Sequence, residues 1–369
     1  MKILCQKSDL LNGLSIVSKA VPSKTTMSIL ECILVDSTAG NIKLTANDME
    51  LGIETVIEGQ IIEKGIIAID AKIFLDMVRK LPDSAVKIET DDDNKAYITC
   101  EKAKFTIIGK SGEDFSYLPQ IKKVNPLIIS QFSLKEIIRQ TIFSIEENDS
   151  NKIMSGELFE INNNKLRVVA LDGHRISIRK IDLKDEYEDK KVIIPGKALN
   201  EISKIIGGSA DDDVSVFFTD KHVLFEFDKT IVISRLIEGE YFQVDKMLNN
   251  NYETKMSVNK KEFLSCIDRA TLLVKEGDKK PIIVSIEDEK LELKISSTLG
   301  SMKEEIDIKK EGKSLVIGFN PKFMLDALKV IDDEVIDLYM FNSKAPCFIK
   351  DADENYIYLV LPVNFNNVG

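Results

Sequence analysis

Histidine is scarce in this chain. Only His174 and His222 occur in 369 residues, and neither has a second His or a Cys at metal-ligand spacing. With no C-x-x-C pair anywhere, the common zinc sites are excluded. The five cysteines, Cys5, Cys32, Cys100, Cys266 and Cys347, are odd in number and widely spread. That excludes a disulfide framework and points to reduced thiols in the cytoplasm. No apolar run approaches the roughly 18 residues of a membrane span, and the opening "MKILCQKSDLL" has too short an apolar stretch for a secretory signal. The phosphate loop G-x-x-x-x-G-K-[ST], the nucleophile elbow G-x-S-x-G and the dinucleotide fingerprint G-x-G-x-x-G are all missing. Neither a metal nor a cofactor is expected. Positive charge is in deficit: 50 Lys and Arg stand against 61 Asp and Glu, a net charge of −11. Taken globally this argues against a nucleic-acid partner, which needs positive charge gathered locally.

What is present is a folded composition, 44% hydrophobic and 30% charged, in a chain long enough for two or three domains. The chain also repeats itself. "DAKIFLDMVRKLP", "PGKALNEISKIIG" and "NPKFMLDALKVID" begin at Asp70, Pro195 and Asn320. Lys72, Lys197 and Lys322 stand at one equal interval, and so do the basic residues Arg79, Lys204 and Lys329 and the acids Asp76, Glu201 and Asp326. Apolar positions follow the same rule, with Ser203 as the one departure, where Val78 and Leu328 stand in the other copies.

Each copy is preceded by an earlier helix. "SDLLNGLSIVSKAV" sets Leu10, Leu14, Val17 and Val21 on one face. "SLKEIIRQTIFSI" opens with Ser133 and Glu136 at capping-box spacing, with Leu134, Ile138, Ile142 and Ile145 as its face. "NKKEFLSCIDRATLLV" opens with Asn259 and Glu262, with Phe263, Ile267, Ala270 and Val274 inward. Between the helices the period changes to two, as in "NKLRVVALDGHRISIRKI", which reads as antiparallel strands with one wet face. The fold class is α+β: three similar domains in tandem, each with two helices packed on antiparallel sheets. Boundaries are expected near Asn125–Pro126 and Asn249–Asn251, giving domains 1–126, 127–250 and 251–369. Opposite its apolar stripe, each second helix shows a lysine and another basic residue seven positions on, about two turns and so on the same side.

The cluster Asp172, His174 and Arg175 in "ALDGHRISIRK" is the nearest thing to a catalytic constellation. Asp-Gly reads as a turn after a strand. No nucleophile accompanies the histidine, so two readings stay open: a hydrolase or nucleic-acid enzyme built on these three residues, or a structural or partner-binding loop.

Three motifs carry a resemblance. "ALDGHRISI" is similar to A-T-D-G-H-R-L, "GEDFSYLP" to an acidic-D-F-P-x-L linker, and "YLVLPVNF" to Y-V-V-M-P-M-R-L, all hallmarks of the bacterial DNA polymerase III beta subunit, the sliding-clamp family. With the threefold repeat, the chain resembles that family over essentially its whole length. The resemblance implies a DNA clamp fold, with two chains forming a homodimeric ring around duplex DNA. Twelve helices spaced about 10 Å apart make a circle about 38 Å across, and removing one helix diameter of about 10 Å leaves a hole of about 28 Å. That passes a duplex about 20 Å wide. It further implies a processivity factor rather than an enzyme, with the replicative polymerase, the clamp loader and repair and translesion polymerases as partners and no membrane.

The implied DNA-facing residues are Lys24, Lys72, Arg79, Lys197, Lys204, Lys322 and Lys329, with Arg139 and Arg269 as further candidates. The implied partner-peptide pocket is Met154, Leu171, Gly173, His174, Arg175, Ile176, Phe242, Met247, Asn320, Phe323, Pro346, Val360, Leu361, Pro362 and Val363. Within it, Arg175, His174 and Asn320 would orient the peptide. Phe105, Ile107, Leu272 and Leu273 are the implied dimer contacts, with ordinary core as the alternative for the two leucines. The chain departs from the family pattern at Leu171 (threonine), Phe242 (proline) and Asn364 (arginine), which bears on peptide preference. A clamp paralogue that keeps the ring but has lost standard partners is a third reading.

Overall fold

A computed structural model of the chain describes residues 1–116, 118–146, 151–248, 251–275 and 280–365. Asn249 and Asn250 at the second expected boundary lie outside the described residues, as do Tyr117 in "GEDFSYLP" and the last four positions. Six α-helices occur among the described residues: α1 (Lys7–Val17), α2 (Ala71–Lys80), α3 (Gln131–Thr141), α4 (Gly196–Ile205), α5 (Lys260–Thr271) and α6 (Pro321–Val330).

Local chemistry explains where they start. The Asp70 side chain caps α2 by accepting from the Ile73 N–H at 2.8 Å, Asn259 caps α5 through the Glu262 N–H at 3.1 Å, and Asn320 caps α6 through the Lys322 N–H at 2.9 Å. The expected cap of α3 needs correction. Ser130, not Ser133, holds that place, its hydroxyl accepting from the Ser133 N–H at 3.1 Å. The helix therefore begins one turn early and ends at Thr141. Ile137, Ile138 and Thr141 are fully buried, while Ile142 and Ile145 lie beyond the helix. Val21 likewise falls outside α1, after a 3₁₀ turn over Ser18–Ala20.

Compactness groups the chain differently from its linear thirds. One unit comprises Met1–Leu134 with Asn200–Leu236, the other Lys135–Leu199 with Ile237–Gly369. In the first unit, a five-stranded antiparallel sheet has the order Gln60–Glu63, Lys2–Gln6, Ala85–Thr90, Lys95–Cys100, Ala103–Ile108. A nine-stranded sheet joins strands of the first and middle thirds, Leu51–Ile57 pairing antiparallel with Thr230–Arg235. Here α1 and α2 pack together and bury Leu10, Leu14, Phe74 and Val78 completely.

In the second unit one ten-stranded sheet runs from the long hairpin Gly156–Leu171 and Arg175–Pro195 into the strands of the last third. The join is Arg175–Arg179 against Tyr356–Val360. One face carries a core built with α5 and α6 around Phe263, Ile267, Met324 and Leu328. Each such fully buried side chain contributes about 1.5–3 kcal/mol. A second cluster, around Leu171, Ile176, Val244, Phe348 and Leu359, forms separately. All five cysteines are free and buried. Burial pushes the thiols of Cys5 and Cys266 up to about 12, so neither is a ready thiolate. No helix among the described residues is long and apolar enough to cross a membrane.

Candidate functional site

The Asp172–His174 turn closes the long hairpin. The Asp172 Oδ1 accepts from the N–H groups of His174 (3.0 Å) and Arg175 (3.1 Å), an arrangement that bends the chain back on itself. Gly173 sits at φ +84°, the left-handed region that glycine enters without strain. The second carboxylate oxygen accepts from Arg175 Nε at 2.8 Å. Asp172 is thus committed to backbone and to arginine, and no Asp–His dyad forms. The His174 ring is exposed and lies 6.0 Å from the Phe323 ring.

Arg175 is the centre of the arrangement. It is 3% exposed. Its Nη1 donates to Asp326 Oδ2 at 2.7 Å, and its guanidinium carbon lies 4.3 Å from the centre of the Phe323 ring and 5.5 Å from that of Phe143. Burial works against its charge, but Tyr358, Asp326 and Asp172 together outweigh it and raise its pKa above the ordinary arginine value. Two of the Arg175 donors, on Nε and Nη1, are thus engaged by carboxylates within the protein. Asn320 is likewise engaged as the cap of α6.

The C-terminal strand completes the site. Leu361 N–H donates to the His174 carbonyl and Val363 N–H to the Gly318 carbonyl, both at 2.8 Å, while Tyr358 Oη donates to the Phe323 carbonyl at 2.9 Å. Turn, α6 and C-terminal segment are therefore one bonded group. Leu171 and Ile176 are buried beneath it as a floor, with Met154 packed against their cluster. Phe242, Met247 and Leu361 are exposed at 40%, 53% and 38%, apolar surface that water does not favour. Phe323, Pro346, Pro362 and Val363 are half-buried. Val360, also expected in the pocket, is fully buried in the core built on α5 and α6. The sequence reading missed Phe143, Tyr241 and Tyr358. Tyr241 props the hairpin by donating to the carbonyls of Val169 (3.2 Å) and Gly156 (3.3 Å); isolated aromatics in loops gave no periodic signal for it.

The basic residues of the repeat are all exposed: Lys72 and Arg79 on α2, Lys197 and Lys204 on α4, Lys322 and Lys329 on α6, and Lys24 in the loop before Ser28–Glu31. Arg79 pairs with Asp76 at 3.3 Å and Lys204 with Glu201 at 2.8 Å. Arg139 is held by Glu136 and by Asp332 at 2.7 Å, and Arg269 by Glu304, so both of these cations already have a carboxylate partner. Phe105 is exposed and Ile107 half-buried on Ala103–Ile108, an edge strand. Leu272 is 76% exposed, whereas Leu273 packs against the α5–α6 core. Among the described residues no cluster of three or more His, Cys, Asp or Glu could hold a metal ion.

Three family models match the chain in sequence: the DNA polymerase III beta subunit N-terminal domain over residues 1–119, its central domain over 128–243 and its C-terminal domain over 245–364. The beta sliding clamp of Staphylococcus epidermidis is 35% identical, covering 98% of this chain and 99% of that protein. The crystal structure of a putative DNA polymerase III beta subunit from Eubacterium rectale superposes with a TM-score of 0.95 at 65% identity, over 99% of this chain and 100% of that one. The DNA polymerase sliding clamp of Bacillus subtilis gives a TM-score of 0.95 at 33% identity, with the same coverage.

Proposed function

Since this chain belongs to the DNA polymerase III beta-subunit family, the sliding clamps, in which two chains close into a ring, we propose that it encircles duplex DNA with Lys24, Lys72, Arg79, Lys197, Lys204, Lys322 and Lys329 toward the phosphates. The observation that carries this is the recurrence of an exposed basic pair, two turns apart, on the second helix of every third. Sparse lysines offset phosphate repulsion without reading bases, so the ring slides, and its hold on DNA is topological rather than a matter of affinity. The net charge of −11 then lies elsewhere on the molecule.

Partner proteins dock a short apolar peptide on the surface offered by Met154, Phe242, Met247, Phe323, Pro346, Leu361, Pro362 and Val363, over the floor of Leu171 and Ile176 and beside Gly173 and His174. The partners are the replicative polymerase, the clamp loader and the repair and translesion polymerases. The domains run 1–126, 127–250 and 251–369, the site of action is the cytoplasm, and the chain itself performs no turnover. The exposed Phe242 ring, set edge-on to Tyr241 at 6.3 Å, narrows the range of peptides accepted.

Retention on DNA tests this reading. The protein is loaded onto nicked circles with a clamp loader and ATP, washed at high salt, and the circles are then cut. Survival of the wash and release on cutting is the expected result. Loss in the wash, with no dimer found on cross-linking, would overturn it, because contact binding falls steeply with salt whatever the shape of the DNA.

A further inference from the structure

We propose that Asp326 is a positioning residue for the partner-binding turn: from α6 it holds Arg175, and through Arg175 the Asp172–His174 turn, in its binding conformation. The inference rests on the docking surface proposed above. Its evidence is a break in the repeat. On α2 and α4 the recurring acid pairs with the basic residue three positions on, Asp76 with Arg79 and Glu201 with Lys204. On α6 the equivalent acid turns the other way, and Asp326 accepts from Arg175 Nη1 at 2.7 Å.

The consequence follows from what Arg175 holds. Its Nε bonds Asp172, the carboxylate that also fixes the N–H groups of His174 and Arg175. Its flat face lies on Phe323, one helical turn before Asp326, and Phe323 in turn faces His174. So α6 grips the turn at two points a single turn apart. A buried guanidinium with one carboxylate removed keeps its desolvation cost and loses part of its compensation, so the side chain is driven toward water and Asp172 moves with it. The outer face of the same ten-residue helix carries Lys322 and Lys329.

The test uses the full-length protein and a fluorescein-labelled peptide bearing a Leu-Phe pair, read by anisotropy. Asp326→Ala and Asp326→Asn are expected to weaken peptide binding about tenfold, with Asp326→Glu recovering part of it. Asp76→Ala and Glu201→Ala, the same position in the other two copies, should leave it unchanged. His174 ring protons, shifted by the Phe323 ring current, should move in both Asp326 variants, and a melting curve confirms that each is folded. Wild-type affinity in a folded Asp326→Ala, with the His174 signals unmoved, would overturn the proposal. If wild type itself fails to bind the peptide, the docking surface is wrong, and the His174 signals alone then decide whether Asp326 positions the turn.

Discussion

The Thr55 and Thr230 hydroxyls lie 2.9 Å apart, both buried, where a strand of the first third pairs with a strand of the middle third. Each is the other's main partner in a place water does not reach; Thr55 has only the Lys229 carbonyl besides, at 3.4 Å. Thr230→Val keeps the shape and leaves the Thr55 hydroxyl with just its long contact to the Lys229 carbonyl, at a cost of about 1–2 kcal/mol. The double variant Thr55→Val/Thr230→Val removes both groups and should cost less than the sum of the singles. Urea denaturation of the four proteins measures this, and strict additivity would show that the pair does not join the strands energetically.

The repeat's altered acid has an electrostatic consequence. Lys204 already has Glu201 as a counter-charge at 2.8 Å, whereas the corresponding acid beside Lys329 is turned to Arg175. Lys329→Ala should therefore weaken binding to a short linear duplex more than Lys204→Ala. It should also reduce the salt slope by up to about 0.9. Equal slopes for the two variants across a potassium chloride series would refute it.

Glu157 is fully buried on the strand Gly156–Leu171, and neither carboxylate oxygen has a hydrogen-bond partner among the described residues. Burial pushes its pKa up to about 8 from an ordinary 4.5; the nearby Thr141 hydroxyl opposes this but donates to the Ile137 carbonyl at 2.7 Å instead. The folded chain thus keeps a proton that the unfolded chain loses between about pH 4.5 and 8. The sign follows: its contribution to stability is complete below pH 4.5 and is lost as pH rises through 8, at a slope of up to about 1.4 kcal/mol per pH unit. Glu157→Gln should flatten that slope and leave the protein more stable than wild type at pH 8 and above. Unfolding curves at pH 5, 6.5, 8 and 9 decide it, and parallel pH profiles would contradict it.

Leu272 and Leu273 are neighbours with different environments, 76% exposed and packed on the α5–α6 core respectively. If Leu272 is a dimer contact, Leu272→Asp should sediment as a monomer with little change in melting temperature at matched concentration of folded chains. Leu273→Asp should lower the melting temperature instead, because it places a charge against apolar side chains. Phe105→Arg on the edge strand should behave like Leu272→Asp. A dimeric Leu272→Asp would remove that residue from the interface.

Much of this protein was determined by short-range physics and was therefore readable in the sequence. Helix periodicity, the cap at Asn259, the glycine turn at Gly173 and the exposed basic pairs all depend on residues within a turn or two of each other. The α3 cap shows the limit even there, since Ser133 with Glu136 has the capping-box spacing, yet Ser130, which lacks it, caps the helix. What tertiary structure decided was partnership at long range. Backbone hydrogen bonds carry no residue identity, so nothing local says that Leu51–Ile57 pairs with Thr230–Arg235, or Arg175–Arg179 with Tyr356–Val360. Nor does a surface-like acid on α6 declare that its partner is an arginine 151 positions earlier. That pairing exists because the sheet brings Arg175 under α6, where Asp326 supplies the buried cation with a second carboxylate beside the local one of Asp172.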